Sequence, residues 1–453
     1  MRKHRRPTMP NAAIIGLAIL ALSGTGIQAA TGSPEADAST ADRPGLIAET
    51  RPLPPGVSTD PLPADQDSGL PDGIQDGLWD VYAAHPQLNV NTLEWDSSRK
   101  KLKVYTAAAA EVRTLFAKHL GESMYELIPA EHSKAAIDEV LSRISAAGGD
   151  LGNGQRVVTA RPAKDGSSIA LGIEVSSAAK RLAAPMDVAR VLDSDIPLTV
   201  EAAPELAPVM RNIGYYVNLF SGAIMTRPAS PTTIQMCTTG FRITHISSNA
   251  PAMLSADHCG RGNIGSNWYY STVQSAEATL GKFGGMLSVA PPGASQVDTG
   301  IWTGGNTGAF YPAVFNGTND GNSTLTAIRG AVIPVVNSSV CHSGARSGNI
   351  CGNTVTATGQ LFCYSPVQCY SNQSTTQQTS NIPAVGKGDS GGPVYQSLNG
   401  QPYGAGVISG MLFPNDNCTG DPADANRTCS AQAIYAPLNN ALGSNGWGFK
   451  YVP

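Results

Sequence analysis

Three short segments hold the residues best suited to chemistry: Ser255-Ala256-Asp257-His258-Cys259-Gly260, Val297-Asp298-Thr299-Gly300-Ile301 and Gly388-Asp389-Ser390-Gly391-Gly392-Pro393-Val394. A serine among glycines sits where the backbone can turn sharply and leave the hydroxyl accessible. The amides of Gly388 and Ser390 could then converge on one point as an oxyanion hole. A serine hydroxyl is a poor nucleophile unless a base takes its proton and a carboxylate orients that base. The pattern around Ser390 therefore asks for a histidine and an aspartate elsewhere in the chain.

The same segment spells G-x-S-x-G, the nucleophile turn of α/β hydrolases, which carry the histidine after the serine. All seven histidines here (His4, His85, His119, His132, His245, His258 and His342) precede Ser390, which excludes that arrangement. His245, His258 and His342 lie in the cysteine-bearing part of the chain, and His258 abuts Cys259, whose bridge could fix the local backbone. Asp298, Asp320 and Asp389 lie between His258 and Ser390. Asp320 sits in a turn-like Asn-Asp-Gly and Asp389 is adjacent to the nucleophile, whereas Asp298 precedes an apolar strand, as a buried orienting carboxylate should. The expected roles are Ser390 as nucleophile, His258 as acid and base, and Asp298 as orienter.

The elements that must position these groups lie in the second part of the chain. Of 453 residues, 212–453 hold 9 Lys+Arg and 8 Asp+Glu, leaving 21 and 26 of the totals of 30 and 34 to residues 1–211. All eight cysteines also fall in the second part. There, short Val/Ile/Thr/Tyr segments alternate with Gly, Asn, Ser and Pro clusters, which predicts an all-β sandwich or barrel. A net charge of −4 with 14% charged residues excludes a nucleic-acid binder that relies on a broad basic surface. No internal run reaches the roughly 18 apolar residues of a membrane span. There is no C-x-x-C pair, carboxylate cluster or calcium-loop pattern in the second part, so neither a metal nor another cofactor is expected.

The first part reads differently. A basic stretch at residues 2–6, an apolar run at 12–23 and small residues at 27–30 predict a secretory signal peptide over 1–30, hence an extracellular protein with no membrane contact after its removal. Export to an oxidising compartment makes eight confined cysteines a disulfide framework. Residues 31–75 are rich in Pro, Ala, Asp, Ser and Thr and read as an extended linker. From 76 to 210 the pattern predicts a small cysteine-free α+β domain. It has hairpins at 92–95/102–105 and 156–160/169–174, and helices at 108–120 and 134–147.

On G-D-S-G-G-P, on A-D-H-C and on the order His258, Asp298, Ser390, residues 211–453 resemble the chymotrypsin-like serine endopeptidases of the secreted bacterial branch, similar to alpha-lytic protease. The resemblance implies two antiparallel six-stranded Greek-key β-barrels with the triad between them, polypeptide substrates and an acyl-enzyme intermediate. It also implies that Cys237 bonds Cys259 and that Cys341 bonds Cys351. Proximity suggests Cys363–Cys369 and Cys418–Cys429 for the rest, where four cysteines allow three connectivities. The α+β domain resembles the pro-region of these proteases, which assists folding and inhibits until it is cut away. That implies a zymogen with its maturation cut near residues 208–216, and a monomer when mature.

The sequence departs from that pattern in places. Ala384 stands where trypsin-like members carry the aspartate of the specificity pocket, and a buried unpaired substrate cation would cost several kcal/mol, so basic P1 residues are not expected. Ile408 replaces the histidine of glutamate-specific relatives. The substrate strand reads Ser409-Gly410-Met411, and a methionine in place of glycine should narrow the pocket toward small or medium apolar P1 residues. His342 occupies the position of an arginine that partners the aspartate before the nucleophile, so His342 or nearby Arg346 is the expected partner of Asp389. The alternative reading is a protease-fold binding protein without turnover.

Overall fold

A computed structural model describes residues 43–453 apart from 44, 153, 177–183, 204–205, 208–218, 230–233, 271–278, 288–296, 320–323, 421–426 and 443–445. The signal segment, the candidate acid Asp320 and the maturation region at 208–216 lie outside the described residues.

The described chain is mostly β. Residues of the second part form two main sheets, and the three chemical segments lie between them. One sheet has nine strands in the order Leu46–Ala48, Trp447–Tyr451, Arg242–His245, Pro251–Ser255, Gly300–Thr303, Thr279–Met286, Asn267–Tyr270, Ile224–Pro228 and Ile234–Thr238. The other, of twelve strands, is built around Ser339–Gly344, Pro393–Leu398, Gln401–Leu412, Gln432–Pro437, Gln368–Gln378 and Gly348–Ser365. A further pairing of Ser339–Gly344 with Gly348–Ser365 links these six strands in a ring. The nine-stranded sheet has no such closing pair among the described residues, where a second six-stranded barrel was expected.

Side-chain pattern explains these strands. Gln401–Leu412 is buried on both faces along nearly its whole length, and its Val407, Ile408 and Met411 join a core with Val394, Tyr395, Ala433 and Tyr435. Burial of each such side chain stabilises the fold by roughly 1.5–3 kcal/mol. Lys101–Thr106 instead alternates half-buried and buried positions, the period of a strand with one wet face.

The first part carries the expected helix as Lys134–Ala146, with Ser133 Oγ accepting from the amide of Ala136 at 3.1 Å and Ile137, Val140, Leu141 and Ile144 buried on one face. The other helix is shorter than its pattern, Ala109–Phe116, and a helix at Asp72–Ala84 adds to it. The hairpins are Thr92–Asp96/Lys101–Thr106 and Gln155–Pro162/Ile169–Val175.

This part does not stand off from the rest. Thr159 and Ala160 pair with Phe362 and Leu361, so the second hairpin extends the twelve-stranded sheet. Leu78, Trp79, Leu93 and Trp95 share one apolar cluster with Val336, Tyr395 and Val407. Buried Gln75 clasps the backbone of Ile333, donating to its carbonyl and accepting from its amide at 3.1 Å each.

Residues 45–66, expected within an extended linker, run instead as a strap along the second part. Leu46–Ala48 pairs in parallel with Phe449–Tyr451, and Val57–Ser58 pairs in parallel with Leu325–Thr326. Arg51 donates to the carbonyls of Gly308 and Phe310 at 2.6 and 2.5 Å, lies 4.0 Å over the ring of Tyr311, and is bonded to Glu49. Strands of two or three residues held by backbone hydrogen bonds leave no periodic signature, which is why composition alone suggested a linker.

Candidate active site

The site assembles from the ends of strands in both sheets. Strand Pro251–Ser255 runs into a single helical turn, Asp257–Gly260, that carries His258. The disulfide Cys237–Cys259 ties that turn to strand Ile234–Thr238. Asp298 lies just before strand Gly300–Thr303, which pairs with Pro251–Ser255 through Ser255 and Gly300. Neighbouring strands thus bring together two residues 40 positions apart.

Asp298 is fully buried and grips the histidine twice. Its Oδ1 accepts from the amide of His258 at 2.9 Å, and its Oδ2 lies 2.6 Å from His258 Nδ1. Oδ2 also accepts from Ser409 Oγ at 2.6 Å, and Ser409 Oγ lies 3.0 Å from Tyr364 Oη. Burial opposes the imidazolium, but the charge and hydrogen bond of Asp298 outweigh it and hold the proton affinity of His258 above the ordinary value. With Nδ1 engaged by the carboxylate, Nε2 is the nitrogen left to exchange a proton.

Ser390 sits in a tight turn whose glycines are obligatory. Gly388 and Gly391 have φ of 117° and 84°, and a Cβ on Gly391 would lie 1.8 Å from Ser255 Oγ. The amide of Thr238 donates to Ser390 O at 2.7 Å and its hydroxyl to Gly388 O at 2.7 Å, docking the turn onto the strand that carries Cys237. His258 Nε2 is buried and has no hydrogen-bond partner among the described residues, Ser390 Oγ included. The hydrogen bond expected between the candidate nucleophile Ser390 and the candidate base His258 is thus not closed in this structure.

Asp389 does not pair with the imidazole of His342. Its carboxylate accepts from the amides of Gly386, Arg346 and Ser347 at 2.8, 2.7 and 3.0 Å and from Ser347 Oγ at 2.6 Å. Its ionic partner is Arg427, whose Nη2 lies 3.8 Å from Oδ2, both side chains being buried. The expectation of His342 is thereby corrected, and Arg346 contributes its amide to Asp389. His342 is buried beside Thr376, 3.3 Å from its hydroxyl, and desolvation pushes its pKa down to about 3. A neutral imidazole there has no charge to offer Asp389.

Of the residues expected to line the substrate pocket, Ala384 and Ser409 are fully buried, and Met411 is buried in the main core. A Cβ on Gly410 would lie 2.3 Å from Tyr364 Oη, so the glycine makes room for that hydroxyl above the strand. The four disulfides are Cys237–Cys259, Cys341–Cys351, Cys363–Cys369 and Cys418–Cys429. Cys237, His258 and Cys259 form the one grouping of potential metal ligands among the described residues, and both sulfurs are tied in a disulfide.

Sequence reasoning missed four residues here. Arg427 and Tyr364 carry no local motif. Tyr370 donates its hydroxyl to Asp257 at 2.9 Å, and Asp257, although it adjoins the histidine, had no role assigned from sequence. The one available signal was the rarity of charge in residues 212–453, which makes each charged residue there worth tracing to a partner.

No protein-family model matches the chain, and no curated protein does. Among solved structures, part of the chain is similar to a glutamic acid-specific serine protease described as using a histidine triad in substrate binding. The identity is 23% over 51% of this chain and 100% of that one, with a TM-score of 0.36. A Nocardiopsis protease matches at 22% identity over 51% of this chain and 99% of its own, with a TM-score of 0.36. The alpha-lytic protease homolog N4 matches at 19% over 51% and 98%, with a TM-score of 0.34. Likeness at this level fixes neither chemistry nor substrate, which belong to the site.

Proposed function

We propose that this chain is the precursor of a secreted serine endopeptidase of the chymotrypsin-like class. The observation that carries the reading is the doubly held His258, fixed by Asp298 through both its amide and its Nδ1, in a turn that the Thr238 contacts link to the Ser390 turn. In this reading Ser390 Oγ attacks the substrate carbonyl carbon and its proton passes to His258 Nε2. The oxyanion is received by the amides of Gly388 and Ser390, and Asp298 stabilises the imidazolium. The imidazolium then protonates the leaving amine, and water repeats the sequence on the acyl-enzyme.

Two features support an uncharged P1 preference. Ala384 is apolar and buried, and Asp389 is committed to Arg427 and four hydrogen bonds, so neither position offers a carboxylate to a basic side chain. Small or medium apolar P1 residues fit that environment.

The zymogen reading is supported by the short strand Leu206–Ala207, which pairs antiparallel with Leu412 and Met411. It occupies the backbone edge just past Ser409 and Gly410, where an extended peptide substrate would add itself as a strand. The shared core of the first part with Val336 and Tyr395 supports a role in folding the protease as well as blocking it. Four disulfides fit an oxidising compartment.

The alternative, a protease-fold binding protein, gains some support from the unpartnered Nε2 of His258. A fluorophosphonate probe separates the two readings, because it reacts only with an activated serine. Labelling of the processed chain at Ser390, lost in Ser390→Ala, is expected. A processed chain that stays unlabelled would leave the binding-protein reading.

A further inference from the structure

Behind His258 lies a second buried carboxylate that the triad does not use. Asp257, the residue before it, is fully buried at the start of the same helical turn. Its Oδ2 accepts from Tyr370 Oη at 2.9 Å and from Arg261 Nε at 2.8 Å. Its Oδ1 is buried and has no hydrogen-bond partner among the described residues. Arg261 also donates to the carbonyl of Val367 and lies 5.2 Å over the ring of Tyr370. Tyr370 and Val367 belong to the end of the long hairpin Gly348–Ser365/Gln368–Gln378, part of the twelve-stranded sheet, whereas Asp257 follows a strand of the nine-stranded one. The cluster therefore spans the two sheets at the catalytic histidine.

We propose that Asp257 is a positioning residue for the catalytic base, holding the His258 turn to the hairpin through Tyr370 and Arg261 and placing a second negative charge beside the imidazole. This inference rests on the protease reading only for its effect on turnover. The groups that face Asp257 are Arg261 and His258 on its own turn, Asp298 before the adjoining strand, and Tyr370 on the hairpin. From the other strands packed on the turn, Thr279–Met286 presents Phe283 and leaves Lys282 exposed, and Ile234–Thr238 supplies the disulfide of Cys237.

Charge balance gives the arrangement a consequence. Burial first, and then repulsion from Asp298, push the Asp257 pKa up to about 6, against the opposing hydrogen bonds and charge of Arg261. Asp257 thus ionises in the pH range in which a histidine base is switched on, and once ionised it favours the imidazolium. The neutral, active form of His258 is therefore delayed to higher pH. Tyr370 and Arg261 decide how early that delay sets in.

The test is to follow the His258 imidazole by nitrogen-15 NMR across pH 4–9 in the full-length protein and in Asp257→Asn. Asparagine keeps the volume and an acceptor for Tyr370 but removes the charge. The His258 pKa is expected to fall by about one unit, with the Nδ1 proton still bonded to Asp298. The acid limb of kcat/KM in the processed enzyme should move down by the same amount. An unchanged His258 pKa in a folded Asp257→Asn protein would overturn the inference. Should that variant not fold, Tyr370→Phe keeps the charge and removes one hydrogen bond. The secondary step that Asp257 imposes on the His258 resonance is then expected to move to higher pH, and its staying in place would equally overturn the inference. A shifted His258 pKa in a protein that cleaves nothing would sink the protease reading and leave this one standing.

Discussion

Charge is so scarce in the second part that each buried ionic group has a traceable consequence. Asp389 would be a costly lone carboxylate beside Ser390, and Arg427, 38 residues further on, removes that cost. His342 is the opposite case, a base kept neutral by burial. Its pKa of about 3 in the fold lies below the ordinary 6.5, so between those values the unfolded chain binds a proton that the fold refuses. Stability is therefore unaffected by His342 above pH 6.5 and falls as the pH drops below it, by about 1.4 kcal/mol per unit. His342→Gln should flatten the fall in melting temperature between pH 6.5 and 4, and an unaltered slope in that variant would contradict the assignment. At this scale the candidate residues His258, Asp298 and Ser390 stood out because they sit in short strings of diagnostic composition, and the structure joins the first two directly. Arg427 and Tyr364 did not, because their roles depend on chain returning from far away in sequence.

At the scale of elements, short apolar segments between turn residues marked the second part as β without placing its individual strands, and helical spacing found Lys134–Ala146. What sequence could not reveal was the joining of elements through backbone. The parallel pairing of Leu46–Ala48 with Phe449–Tyr451, the amide of Phe449 donating to Gly45 O at 2.7 Å, and Lys450 Nζ donating to Ala48 O at 2.9 Å require little of any side-chain pattern. The strap also brings Glu49 into the neighbourhood of buried Arg242, whose guanidinium otherwise finds the carbonyls of Gly308 and Phe310 at 3.1 and 2.6 Å. Desolvation pushes the Arg242 pKa down to about 10, with repulsion from Arg51 adding to it and the charge of Glu49 opposing. A chain deleted of residues 43–58 should exchange the amide of Phe449 with deuterium at least tenfold faster than the intact chain, because that hydrogen bond is an edge bond of the sheet. Equal protection in both chains would show that the strap is not what covers this edge.

For the whole molecule, the two chemically distinct halves seen in charge and cysteine distribution fold around a common core, and under the proposed zymogen reading this sets what maturation would have to accomplish. Release of the first part would expose Val336, Tyr395 and neighbours now covered by Leu78, Trp79 and Trp95, as well as the sheet edge now held by Leu206–Ala207. The second part must therefore keep its fold with less cover, and its four disulfides, confined to that part, are suited to the task. The central claim is that Ser390, activated by His258 and Asp298, cleaves peptide bonds once the first part is displaced. The most direct measurement is to express the precursor with export, recover the processed chain and incubate it with a peptide library read by mass spectrometry. Cuts after small or medium apolar residues, absent in Ser390→Ala, are the result this account predicts. A correctly processed chain that leaves every peptide intact, or that cuts after lysine, arginine or glutamate, would contradict it.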